Sequence, residues 1–273
     1  MMTSSDDPQA KPAPEVEEPQ VTAEAVEEEE EGVAVNRWQR VTAVLFSPAE
    51  AMRGVKLNGG WLAPLVVFLV CSTLYVFLAG AFLGEEQMDR ARDQMQERVA
   101  QGQMTQEQAD QAMEVSARFQ EGMGGRITML LGTVVVIFII TLVMSILLLL
   151  IGNVIHNGTA KFGTYWSMTW YAGVIGSIGM LLMGVLIMLT QDAQGGHLGL
   201  GILTKSNPTS ALHAAAATVT IFSVWEAIVA GIGLSILGKI GRGLGIVWGL
   251  IVFVVLPATL TYILTNAFSG MAG

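Results

Sequence analysis

Apolar and polar positions along this chain fall into long blocks. Between Lys56 and Glu85 run 28 residues without a charge, between Arg126 and Lys161 run 34, between Lys161 and Asp192 run 30, and 31 follow Arg242. A further 33 lie between Lys205 and Lys239, interrupted by a single acid, Glu226. A helix rises about 1.5 Å per residue, so roughly 20 apolar residues cross the ~30 Å hydrocarbon layer. The pattern predicts five membrane-spanning helices over 61–83, 127–151, 165–189, 211–236 and 244–264. The runs lack period-two alternation and are too long for single strands, which excludes a β-barrel. Backbone groups in lipid must then be paired within each segment. The expected fold class is all-α, a polytopic membrane protein with its membrane domain over 61–266.

Within the spans, Trp61 opens the first, and Tyr165, Trp166, Trp170 and Tyr171 crowd the start of the third, as rings do at a membrane–water interface. Gly173 and Ser177 are four apart, as are Ala227, Gly231 and Ser235 in succession. Small residues at that spacing let helix backbones approach. A site lined by exposed backbone is the other reading.

Outside the spans, residues 84–126 are polar and helical in pattern. Met88, Ala91, Met95 and Val99 recur at three- and four-residue spacing, Gly102 interrupts, and Thr105 with Gln108 forms a capping-box signature before Ala109, Met113 and Arg118. The segment predicts an extramembrane helical hairpin ending near Gly122-Met123-Gly124-Gly125. Residues 35–60 mix Trp38, Val41, Val44, Leu45, Phe46 and Met52 with Arg37, Arg40 and Arg53, around Ser47-Pro48-Ala49-Glu50, which reads as a capped helix start. Two short helices result, either lying in the interface with arginines toward lipid phosphates or packed on protein.

Charge changes the picture at the amino terminus. The whole chain carries −9, but residues 1–32 hold eleven acids, including Glu27 to Glu31, against Lys11 alone. Residues 1–34 are therefore an acidic tail expected to be disordered, joined to a nearly neutral body. That excludes an ordinary soluble enzyme, a basic nucleic-acid binder and a disulfide scaffold. The first thirty residues have no apolar stretch behind a basic start, so the first span is expected to act as its own insertion signal.

Candidate chemistry is sparse. His156, His197 and His213 do not have metal-motif spacing. Cys71 is a lone cysteine within an apolar run. Gly176-Ser177-Ile178-Gly179 falls short of a nucleophile elbow, and Gly238-Lys239-Ile240-Gly241-Arg242-Gly243 reads as a tight helix connection. No catalytic residue, metal ligand or cofactor is assigned. Glu226 is the exception: an acid near the middle of a span costs roughly 2.5–3.5 kcal/mol and marks a functional candidate. Pro257 in the fifth span cannot donate to the Phe253 carbonyl. Glu226 and Phe253 lie equally far from the connection between spans four and five. A protonated Glu226 near that carbonyl, directly or through water, is the structural reading; a proton or cation site is the other.

Ser47-Pro48, followed by Trp61-Leu62-Ala63-Pro64-Leu65, resembles the opening of Yip1-domain membrane proteins, in the bacterial branch. The stretch from Phe222 through Trp225 and Glu226 to Gly231 and Gly233 is similar to that family's fourth-span signature, an aromatic-x-x-Trp followed by a glycine-rich segment. Many relatives have a proline soon after the position of Tyr171, where Ala172, Gly173, Val174 and Ile175 stand here, so the third span need not kink. The resemblance implies a cytoplasmic amino terminus and a bacterial inner membrane. The cationic residues point the same way, seven inside against six outside. Eukaryotic relatives bind prenylated small GTPases in vesicle trafficking and membrane shaping. The expected function is non-enzymatic, organising membrane or recruiting proteins; the alternative is a small transporter or channel component using Glu226. Expected partners are the lipid bilayer, a protein docking on the 84–126 hairpin or the acidic tail, and a second copy of the chain in a homo-oligomer; nucleic acid is not among them.

Overall fold

Asn36 starts the first helix with a reciprocal cap. Its side chain accepts from the Trp38 amide at 3.4 Å while the Gln39 side chain accepts from the Asn36 amide at 2.9 Å. Helix α1 (Arg37–Phe46) follows. Ser47 ends α1, donating its amide to the Ala43 carbonyl at 2.6 Å, and at once begins α2 (Pro48–Leu57) with Pro48 in its first turn. Serving both helices holds Ser47 at ψ 60°, far from the extended backbone a side-chain cap needs. The capping bond expected from Ser47 is therefore not made.

The computed structural model describes residues 36–121, 123–191, 198–204 and 210–271. The expected acidic tail over 1–34, Gly122 and His197 lie outside them. Among the described residues, five helices are long and apolar enough to cross a membrane: Leu62–Gly80, Met123–Ile155, Phe162–Thr190, Ile221–Gly238 and Arg242–Ala267.

The first of these is part of α3 (Leu62–Ala100), which runs without a break into the polar region. The expected span over 61–83 and the first arm of the hairpin are thus one rod. Gly102, at φ +71°, turns the chain. Thr105 and Gln108 then exchange bonds of 3.0 and 3.2 Å to start α4 (Gln106–Glu121). The second crossing is α5 (Met123–Leu149), which widens into a π-helical turn at Leu150–Ile155. Its Arg126 guanidinium stands 5.6 Å from the centre of the Phe77 ring on α3.

Helix α6 (Phe162–Thr190) is the central one and is uninterrupted. Ser167 through Ala172 are consecutive and all buried, so this stretch presents no side to lipid. Tyr165, Trp170 and Tyr171, expected among the rings at the membrane interface, turn inward instead. Trp170 packs edge-on against Phe138 at 5.1 Å, Phe68 at 5.8 Å and Trp166 at 5.9 Å, and tilts toward Trp61 at 6.2 Å. Rings that pack on one another remove more apolar area than rings at a wet boundary.

The fourth crossing is broken. Where one helix over 211–236 was expected, the chain makes α7 (Ala211–Thr218) and α8 (Ile221–Gly238), separated by extended residues Val219 and Thr220. Thr220 caps α8, accepting from the Ser223 amide at 3.0 Å while the Ser223 hydroxyl accepts from the Thr220 amide at 2.8 Å. The Val219 carbonyl accepts from Leu200 at 2.9 Å, and Gly199 bridges to Thr220. Protein, rather than lipid, thus satisfies the interrupted backbone.

The fifth crossing comprises α9 (Arg242–Leu250), a π-helical turn at Ile251–Val255 and α10 (Leu256–Met271). Helix α8 packs along α9 and α7 along α10. The α8–α9 seam is made by small residues: a Cβ on Gly231 would stand 2.5 Å from the Ile246 Cα, and one on Gly249 would meet the Ala227 carbonyl.

The core joins α1 and α2 to α6 and α8. Val44, Ala51, Met52 and Val55 are at most 1% exposed and cluster with Tyr165, Met168, Val229 and Leu234. Of the two readings of residues 35–60, packing on protein is what this shows. Arg40, expected to face lipid phosphates, is buried and donates to the Asn58 carbonyl at 2.6 Å. Trp38, Phe46 and Leu57 are left exposed on the outer faces of these helices.

Candidate functional site

Glu226 lies in the second turn of α8, not at the middle of a longer helix, because α8 begins only at Ile221. It still lies deep in the membrane region, since its carboxyl reaches Gly176, the midpoint of α6. A Cβ built on Gly176 would stand 2.5 Å from Oε2, and one on Gly173 would stand 3.8 Å from Oε1. The two glycines are one helical turn apart and share the α6 face that meets α8. Their missing side chains make the seat in which the carboxyl rests.

That seat opens onto a cavity of about 330 Å³ to which all five crossings contribute. Helix α3 supplies Phe68, and α5 supplies Ile137, Ile140, Thr141 and Met144. Helix α6 supplies Thr169, Trp170, Ser177 and Met180 beside the two glycines. The fifth crossing closes it with Phe253 and Pro257. Two of the three hydroxyl side chains on it already have partners: Thr169 donates to the Tyr165 carbonyl at 2.9 Å and accepts from Ser145 at 3.0 Å, and Ser177 donates to the Gly173 carbonyl at 2.8 Å. Glu226 makes no hydrogen bond or ion pair with another described residue. The walls are otherwise mainly apolar; besides the carboxyl, the Thr141 hydroxyl and the buried Trp170 indole N–H on them have no hydrogen-bond partner among the described residues.

The sequence brought Glu226, Phe253 and Pro257 together by depth, and the structure sets all three on this one cavity. The Glu226 carboxyl turns toward α6, its oxygens lying beside Gly176 and Gly173. Pro257 lacks an amide for the carbonyl four residues back, and the chain answers by widening: Leu256 donates to Ile251 across a π turn. Phe253, within that turn, lies on the cavity wall.

The other residues singled out from the sequence position α8 and the end of the bundle. Ser47 and Pro48 join α1 to α2. The Phe222 ring lies under Gly179, where a Cβ would stand 2.6 Å from its Cγ. Gly231 meets α9, and Gly233 admits the Met168 and Met52 sulfurs. Trp225 stands on the outer face of α8, 36% exposed. The sequence reading missed Gly173 and Gly176 as the carboxyl's seat. Their spacing of three was a visible signal, but only the neighbouring helix shows what they face. It also missed the interlock near the end of α5, where the Tyr165 hydroxyl donates to Asn153 at 2.9 Å and Asn153 donates to the Ala160 carbonyl at 2.7 Å. His156 accepts from the Trp248 indole at 3.1 Å, and His213 lies beside Thr204 at 3.0 Å.

The family model described as Yip1 domain matches residues 42–263, from α1 to within α10. No curated protein and no solved structure matches the chain.

Proposed function

The chain belongs to the Yip1 domain family, and from that premise we propose that it is a non-enzymatic integral membrane protein that organises its membrane or recruits proteins to it. The observation that carries this reading is the continuity of α3. One helix of 39 residues serves both as first crossing and as first arm of the polar hairpin. Beyond Gly80 it projects about 30 Å at ~1.5 Å per residue. Anything bound to α4 or the distal part of α3 is thereby held rigidly to the membrane domain. The faces offered there are polar, with Arg92, Asp93, Glu97, Arg98, Glu107 and Asp110 all exposed. In this reading the amino terminus is cytoplasmic and the membrane is a bacterial plasma membrane.

A small transporter or channel component using Glu226 is the second reading, favoured by the cavity that this carboxyl faces. Proteoliposomes separate the two. With the native chain, proton and ion flux stays at the level of empty vesicles. A coupled flux that Glu226→Gln abolishes replaces the first reading with the second. Photocrosslinkers at Asp93 and at Glu29 test recruitment in cells: one reproducible protein partner supports it, and labelling of lipid alone counts against it.

A further inference from the structure

We propose that the cavity facing Glu226 binds a small organic ammonium ion that carries an apolar body. Ionised, a carboxyl in the bilayer interior needs a positive partner to offset its lost hydration, and no described residue supplies one. The α6 surface beside it is kept bare by Gly173 and Gly176, so the group is seated without being filled in. Three aromatic residues, Phe68, Trp170 and Phe253, line the same space. Aromatic faces together with one carboxylate are the chemistry that recognises an alkylammonium group, through cation–π attraction and a charge-assisted hydrogen bond.

The remaining lining selects among cations. Hard inorganic ions take six or more oxygen ligands. Here the hydroxyls of Thr169 and Ser177 are turned to carbonyls of their own helix, which leaves the Glu226 carboxyl and the Thr141 hydroxyl as side-chain oxygens, and among the described residues no three His, Cys, Asp or Glu side chains converge. Aliphatic walls such as Ile137 and Met144 suit a hydrocarbon portion instead. A volume of about 330 Å³ is at the small end of ligand pockets, with room for roughly ten groups the size of a water molecule. An anion is excluded by the carboxyl, and a long lipid chain by the volume.

The test uses the full chain in phosphatidylcholine nanodiscs, with empty discs as reference and calorimetry as readout. The probe is 2-phenylethylammonium, compared with 2-phenylethanol, which has the same skeleton without the charge. The native protein is expected to bind the ammonium at least about tenfold more tightly than the alcohol. Glu226→Gln, checked for monodispersity, is expected to erase that preference. The comparison of two ligands on the native chain stands even if the variant does not fold. The proposal is overturned by equal binding of both ligands, by no binding of either, by a preference that survives Glu226→Gln, or by displacement of the ammonium with excess sodium.

Discussion

Gly176 and Glu226 are in direct apposition: the three atoms nearest a Cβ built at residue 176 all belong to the Glu226 carboxyl group, the closest at 2.5 Å. Fifty positions of sequence separate the two, and nothing local to either residue encodes the contact. Because the obstructing atom is the end of a flexible side chain, Gly176→Ala is expected to move the carboxyl rather than the helices, at a cost of about 1 kcal/mol. In a Glu226→Ala background the obstruction is gone, and the same substitution is expected to be neutral or to stabilise by up to ~1 kcal/mol through helix propensity. A double-mutant cycle on unfolding in detergent measures the coupling. Additive effects would show that the two groups do not touch.

The α8–α9 seam is expected to be far less forgiving. A Cβ on Gly249 would run into the Ala227 carbonyl and stand 2.9 Å from the Gly231 nitrogen. Both obstacles are backbone, so Gly249→Ala must separate two helices, at about 1–3 kcal/mol. Gly243→Ala, with nothing within 4 Å, is the control and is expected to be neutral or slightly stabilising. Equal melting temperatures for the two variants would contradict the seam.

Between α8 and α9 the chain turns at Lys239, which adopts φ +53°. Left-handed backbone costs a residue with a Cβ about 1–2 kcal/mol, and glycine escapes that cost. Lys239→Gly is therefore expected to stabilise the protein by about 1 kcal/mol, while Lys239→Ala is expected to gain nothing. Thermal unfolding of the two variants reads the difference; a gain with alanine would contradict it.

The break before α8 rests on Thr220. Its side chain caps the helix through the Ser223 amide at 3.0 Å, a bond typically worth about 1 kcal/mol. Thr220→Ala is expected to lose that amount, and Thr220→Ser to keep it. If both variants unfold like the native chain, the cap does not set the break.

Arg40 and Arg53 belong to the same pair of short helices and differ in burial. Arg40 is 3% exposed and bonded to Asn58, whereas Arg53 is exposed. Arg40→Met is expected to cost about 2 kcal/mol, since the Asn58 carbonyl loses a charged donor. Arg53→Met is expected to stay within about 0.5 kcal/mol. Comparable losses at both positions would mean that α1 and α2 are not packed as described.

By itself the sequence determined that lipid is the solvent, that five segments cross it, and that Glu226 is the acid among them. Charge-free length is a property summed along the chain, and a carboxyl in such a run is conspicuous wherever the helix turns. The shared depth of Glu226, Phe253 and Pro257 was legible for the same reason, because a short connection fixes register between antiparallel neighbours. Tertiary structure alone decided the rest. Hydropathy is blind to a backbone break that stays apolar, so Val219 and Thr220 passed as helix until the segment at Gly199 and Leu200 supplied their hydrogen bonds. An aromatic-rich start to α6 fits a wet boundary or a buried cluster equally well, and the rotation of that helix settled the matter. Which way the Glu226 carboxyl points depends on a contact between helices far apart in sequence, and two missing side chains on α6 made room for it.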